Sequence, residues 1–227
     1  MKKFITLIIS ILIAFSFTTT VFADGHQVYG PYPITLKGYD GDKTNSVKYT
    51  GQMARHALHD SLKALVKSGD VAKMMAYYNG EDGLAIVAPA SKGDFVIKQT
   101  MVSEIGSGNL SGKMYKGYIP GWGNLTGPEA LEHMITKAGE VEGGFDPNTG
   151  MDYTQLISKF AMGAVFYNQA VNSYLGSKME IGQKPNSEPY KEGAYYTGKE
   201  HSWDEAFGYW GSAAHALTLS AEQNYNV

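Results

Sequence analysis

Apolar positions along this 227-residue chain recur at intervals of three and four far more often than they alternate, and that period predicts helices. Thr50 is placed to cap a helix whose apolar positions Met53, Ala54, Ala57, Leu58, Leu62, Leu65 and Val66 make one stripe before Gly69 ends it. Asp70 caps a second, running through Met74, Met75 and Tyr78 to Asn79-Gly80. Thr126-Gly127-Pro128-Glu129 starts a third with proline in its first turn; this helix carries Leu131, Met134 and Ile135 and stops at Gly139. Asp152 caps the longest segment, Tyr153 to about Leu175. Its stripe is Leu156, Phe160, Gly163, Ala164, Tyr167, Val171 and Tyr174, flanked by Ile157, Phe166 and Ala170. So much apolar circumference marks a central helix of a bundle.

The stretches between these helices have a different character. Gly106 to Gly123 and Gly176 to Gly198 are rich in glycine, proline and tyrosine and read as long loops. Residues 24–48 form an irregular lead-in with at most a short extended piece around Ile34 to Leu36, and no internal repeat is present. The expected fold is all-α, a helical bundle with long Gly/Pro/Tyr-rich loops, in one domain over 49–227.

The last helical segment carries the candidate chemistry. In Glu200-His201-Ser202-Trp203-Asp204-Glu205-Ala206-Phe207-Gly208-Tyr209-Trp210-Gly211, helical spacing sets His201 beside both Asp204 and Glu205. Trp203, Phe207 and Trp210 point another way. The predicted helix thus has a wet stripe, continued by Gly208, Ser212 and His215, and an apolar one. An imidazole and one or two carboxylates suit iron(II), manganese or zinc, and residues four apart on a helix can chelate one ion. Which of Asp204 and Glu205 partners His201 stays open at this level. Secondary ligand candidates are His56, His59 and Asp60 on the first helix, and His215. The competing reading of His201 is a structural polar cluster; for His56, His59 and Asp60 it is a solvated helix face. Asp146-Pro-Asn148-Thr-Gly150-Met-Asp152 alternates oxygen donors, but Ile157 stands where a calcium loop needs its bidentate glutamate, so a helix-initiating turn is expected there. Tyr118-Ile-Pro-Gly-Trp122 is expected to pack over the bundle.

Composition and the first residues narrow the setting. Lys2 and Lys3, the apolar run Ile5 to Phe17, too short to span a bilayer, and Val21-Phe22-Ala23 have the form of an export signal over 1–23. Removing it leaves 17 basic against 22 acidic side chains, a net charge of −5. Such a surface gives no footprint for nucleic acid, and no later apolar run is long enough for a membrane helix. The expected location is periplasmic or secreted. With no cysteine, any metal must be held by oxygen and imidazole. No nucleophile elbow, phosphate-cradling loop or dinucleotide fingerprint is present.

Two long stretches resemble a known bacterial family. Asp152-Tyr-Thr-Gln-Leu-Ile-Ser-Lys-Phe-Ala-Met-Gly-Ala-Val-Phe-Tyr-Asn-Gln-Ala170 and Lys199-Glu-His-Ser-Trp-Asp-Glu-Ala-Phe-Gly-Tyr-Trp-Gly211 resemble the family called domain of unknown function 4856, and Gly51-Gln52 with Arg55 is similar to its early Gly-Gln-x-x-Arg signature. The resemblance spans roughly 47–211. It implies kinship with the imelysin-like proteins, which are helical, carry a Gly-x-His-x-x-Glu motif linked with iron, and act in periplasmic iron uptake. Here Asp204 occupies the place of that glutamate and Glu205 follows it. Members of the family continue well past the aromatic helix, which implies that this chain is a truncated member. The expected function is an exported binding protein for iron or another divalent metal, with a metal ion or an envelope protein as partner. The alternatives are a structural or partner-binding module without metal, and a metal-dependent peptidase.

Overall fold

A computed structural model describes residues 34, 36–43, 46–87 and 99–211. The expected leader at 1–23 and His215 lie outside the described residues. Of the expected lead-in, 36–43 and 46–48 run through turns and bends without helix or strand. The helices are α1 (Thr50–Leu65), α2 (Val71–Asn79), α3 (Val102–Ile105), α4 (Gly127–Gly139), α5 (Tyr153–Ala161) and α6 (Gly198–Trp210), with a π-helix, Met162–Tyr174, continuing α5. Among the described residues the one sheet is a two-residue antiparallel pair, β1 (Phe145–Asp146) with β2 (Met151–Asp152), Phe145 facing Asp152. The protein is mostly helical, as expected, and no helix of the described residues is long and apolar enough to cross a membrane.

Local chemistry explains where most helices begin and end. Asp70 Oδ1 accepts from Lys73 N at 2.9 Å, and Asp152 Oδ1 accepts from Gln155 N at 3.1 Å, each satisfying a free first-turn donor. Thr126 and Glu129 form a reciprocal capping box at α4, as do Thr197 and Glu200 at α6. Gly69 and Gly80 end their helices in the left-handed region that glycine tolerates without strain. The expected cap at Thr50 is one residue off. Thr50 is already helical and Tyr49 takes the cap position without a side-chain capping bond to the first turn; its buried ring packs on Phe207.

The core lies where α1 meets α2, α5 and α6 and where α4 meets α2 and α5. Leu58, Leu62, Met74, Leu131, Ile135 and Ile157 are fully buried there. At about 25 cal/mol per Å² of apolar surface removed from water, these side chains supply the main driving force for packing.

The longest segment departs from a uniform α-helix. After Ala161 the ladder widens, and Leu175 N donates to Ala170 O, five residues back, at 2.9 Å. Neighbours on one face therefore become residues four and five apart, and the buried line runs Ile157, Ala161, Val165, Ala170 and Tyr174. This corrects the predicted stripe: Gly163, Tyr167 and Val171 face solvent, Tyr167 at 60 % exposure. An α-helical period applied across a π-helix turns progressively out of register.

Candidate functional site

Helix α6 has one covered face. Its buried face is Gly198, Ser202, Asp204, Ala206, Gly208 and Tyr209, whereas Trp203 and Trp210 are exposed. Small residues make this possible. An added Cβ at Gly208 would stand 2.7 Å from Tyr49 Cβ and 2.9 Å from Gln52 Cβ, so α6 and the start of α1 approach backbone to side chain. The buried serine satisfies itself locally, Ser202 Oγ donating to Gly198 O at 3.0 Å.

With that face turned inward, the two carboxylates beside His201 part company. Asp204 Oδ2 accepts from the backbone N–H of Lys48 at 2.5 Å and so ties the segment before α1 to α6. Glu205 turns to His201, with Oε2 3.5 Å from His201 Nε2. Its other oxygen, Oε1, accepts from Gln52 Nε2 at 2.9 Å and from the Tyr174 hydroxyl at 3.4 Å. Glu205 is thus the point at which α1, the π-helix and α6 meet. Of the candidate ligands on α6, the structure brings His201 and Glu205 together and places Asp204 on another partner.

Aromatic rings enclose the imidazole. His201 stacks on Tyr196 at 4.7 Å between centroids and lies against Tyr190 at 5.1 Å. With Nε2 directed at Glu205, Nδ1 is buried, and no hydrogen-bond partner reaches it among the described residues. Burial holds the His201 pKa below its ordinary value; Glu205 opposes this, and Lys184, Lys48 and Lys178 reinforce it.

Cations ring the same place. Lys178 Nζ sits 3.3 Å from the centroid of Tyr174, Lys184 Nζ 4.4 Å from that of Tyr190, and the Arg55 guanidinium 5.7 Å from that of Tyr209. Arg55 is oriented by Nε donating to Asn109 O at 3.0 Å and by a second bond to Gly51 O at 2.9 Å. Burial brings the Lys178 ammonium down to about 8, and it lowers Lys113 as well, with Arg55 adding to the effect and Glu205 opposing it. The Tyr174 and Tyr209 hydroxyls move the other way, Tyr209 to about 12, chiefly through burial.

Sequence reasoning missed these lysines and tyrosines. Apart from Tyr209 on α6, they belong to loops and to the π-helix, where no helical period connects them to His201. Tyrosine abundance in the 176–198 loop was the one available signal.

The secondary candidates on α1 have other partners. His56 Nε2 lies 3.0 Å from Gly208 O, and its ring stacks on Phe166 at 4.3 Å. His59 bonds Asp60 Oδ1 through Nδ1 at 3.0 Å and Ser158 O through Nε2 at 3.1 Å. The expected solvated face is corrected for His59, which is buried because α5 covers it at Ser158. The Asp146 to Asp152 stretch is a hairpin turn, Asp146 accepting from Asn148 N at 2.9 Å and from the Thr149 hydroxyl at 2.8 Å, which agrees with a helix-initiating turn. Trp122 packs partly against the core and meets His133 edge-on, while Tyr118 is exposed.

Burial holds His56 below 6.5 as it does His201. Below 6.5 the unfolded chain therefore binds protons that the folded chain refuses, and stability falls as the pH drops through that window. Each histidine contributes a slope of at most about 1.4 kcal/mol per pH unit. Urea midpoints should be flat from pH 8 to 7 and decline toward pH 5.5, with a shallower decline in His56→Gln. Equal wild-type midpoints at pH 7.5 and 5.5 would contradict this.

A family model described as Domain of unknown function (DUF4856) matches residues 130–225, from α4 onward. Gly51, Gln52 and Arg55 precede the matched range, yet Gln52 and Arg55 reach into it at Glu205 and Tyr209. No curated protein and no solved structure matches the chain.

Proposed function

Since the chain belongs, through residues 130–225, to the domain of unknown function 4856 family, we propose that it is an exported, imelysin-like binding module with its ligand seat at Glu205 and His201. The single observation that carries this reading is the His201 ring, clasped by Tyr190 and Tyr196 and presenting a buried Nδ1 with no partner among the described residues. A neutral imidazole whose Nε2–H faces Glu205 offers Nδ1 as an acceptor, and a buried acceptor left open costs about 1–3 kcal/mol. A ligand carrying an O–H or N–H donor would recover that cost. The export signal over 1–23 supports a periplasmic or secreted location.

A second reading is a divalent metal or iron, favoured by the 3.5 Å approach of His201 Nε2 to Glu205 Oε2 with the Tyr174 hydroxyl 3.4 Å from the other oxygen. That spacing lets imidazole and carboxylate share one ion, with the phenol as a further hard donor. The surrounding ammonium groups oppose a cation in the same place.

Thermal denaturation of the full chain against iron(II), zinc(II), manganese(II) and a set of small hydroxylated acids tests both readings. At least one probe should raise Tm saturably, as mass action requires, and His201→Ala and Glu205→Ala should each abolish the rise. No stabilising probe, or an undiminished rise in His201→Ala, would overturn the assignment of the seat.

A further inference from the structure

His201 lies under a strap. Between the short turn Ser177–Met179 and the start of α6 the chain runs through turns and bends, and residues 181–193 are exposed apart from half-buried Lys184. This segment lays Tyr190 and Tyr196 against the imidazole. Among the described residues, both rings that meet His201 therefore come from the strap.

The two ends of the strap are clamped to α6. Lys199 Nζ donates to Lys178 O at 3.1 Å and to Glu180 O at 2.6 Å, and the capping box of Thr197 and Glu200 fixes the other end. Between the clamps, backbone hydrogen bonds among the described residues stay local: Gln183 N to Glu180 O at 3.2 Å, Ala194 N to Lys191 O at 2.9 Å and Tyr190 N to Tyr196 O at 2.9 Å. Side chains hold the middle down. Besides the two tyrosines on His201, Tyr195 meets Tyr39 at 6.2 Å, Lys48 lies over Tyr196 at 6.0 Å, and the Thr197 hydroxyl donates to Asn186 Oδ1 at 2.8 Å. Such contacts part and re-form without unravelling a helix. The opposite wall of the seat has no such freedom, because Gln52 and Tyr174 hold Glu205 from α1 and the π-helix, and α1 carries Leu58 and Leu62 into the core.

We propose that residues 181–196 form a lid that lifts from Gly198 and His201 to admit a ligand and closes over it. This rests on the binding reading above: His201 Nδ1 is buried, so a ligand's donor reaches it only when a wall moves, and the strap is the wall outside the core.

A reversible lock tests the lid. A Cβ on Gly198 would stand 3.0 Å from Lys184 Cβ, a few tenths of an ångström short of the spacing a disulfide adopts, and the chain has no cysteine of its own. In the full-length Lys184→Cys/Gly198→Cys variant, diethyl pyrocarbonate acylates accessible neutral imidazoles, and peptide mass mapping reads His201 and His59 separately. Oxidation should slow labelling of His201 by about tenfold or more, dithiothreitol should restore it, and His59, covered by α5, should keep one rate throughout. In wild type, where no substitution intervenes, the His201 rate should stay level in urea below the unfolding transition. Equal oxidised and reduced rates, or a wild-type His201 rate that climbs with urea in step with that of His59, overturns the lid. The labelling needs no ligand. Failure of every thermal-denaturation probe above, with His201 labelling still gated by the disulfide, overturns the seat and leaves the lid standing.

Discussion

Tyr209→Ala should destabilise the protein by about 3–5 kcal/mol, the range for truncating a fully buried aromatic side chain. Tyr209 is 1 % exposed and its ring meets Phe166 at 6.2 Å and Tyr174 at 5.4 Å between centroids, with the Arg55 guanidinium over it at 5.7 Å. Removing it opens a cavity among α1, the π-helix and α6 that the rigid backbone of three elements cannot collapse to fill. Arg55 also loses the face on which it rests. Urea denaturation should therefore report a large drop in midpoint at unchanged slope, and ligand binding at Glu205 should weaken in parallel. A loss below about 1 kcal/mol would mean that α6 does not pack as described.

Gly208→Val should cost about 1–3 kcal/mol through overpacking, although glycine is a poor helix residue and replacing it would otherwise favour the helix. The sign follows from the contacts. A Cβ would meet the Cβ of Tyr49 at 2.7 Å and the Cβ of Gln52 at 2.9 Å, atoms fixed close to the backbone of the segment that opens α1. Valine adds two methyl groups at the same spot. To accommodate them, α6 must move from α1, which stretches the 2.9 Å bond from Gln52 to Glu205. Stability and binding should fall together in Gly208→Val, whereas the exposed Trp210→Ala should leave both nearly unchanged. A folded Gly208→Val of wild-type stability would show that the two helices lie further apart.

Much of the fold was legible in the chain before any coordinates. Asp70, Thr126 with Glu129, and Asp152 each announced a helix start, because a first-turn donor needs an acceptor close in sequence. The interior of the segment after Ala161 was not legible, since nothing in a single sequence signals a change from four-residue to five-residue hydrogen bonding. Helix α6 was legible in part. Its wet and apolar stripes were legible but not which of them is covered: α1 comes close enough at Gly208 to need a residue without a side chain, and the rest of the buried face is largely small, with Gly198, Ser202 and Ala206. Close approach outweighed the apolar content of Trp203 and Trp210.

The candidate site divides in the same way. His201 and its two carboxylate neighbours follow from helical spacing alone, since residues three and four apart always share a face. Helical spacing has no means of separating Asp204 from Glu205. The backbone N–H of Lys48 takes Asp204, and Gln52 and Tyr174 take Glu205. Those partners lie 156, 153 and 31 residues away. The sequence by itself determined the helical class, most helix starts and the residue types of the site, because each of these rests on interactions within a turn or two. The tertiary structure alone decided which face of α6 is buried, which carboxylate meets His201 and which lysines surround the pair, because those depend on contacts that exist only after distant segments pack.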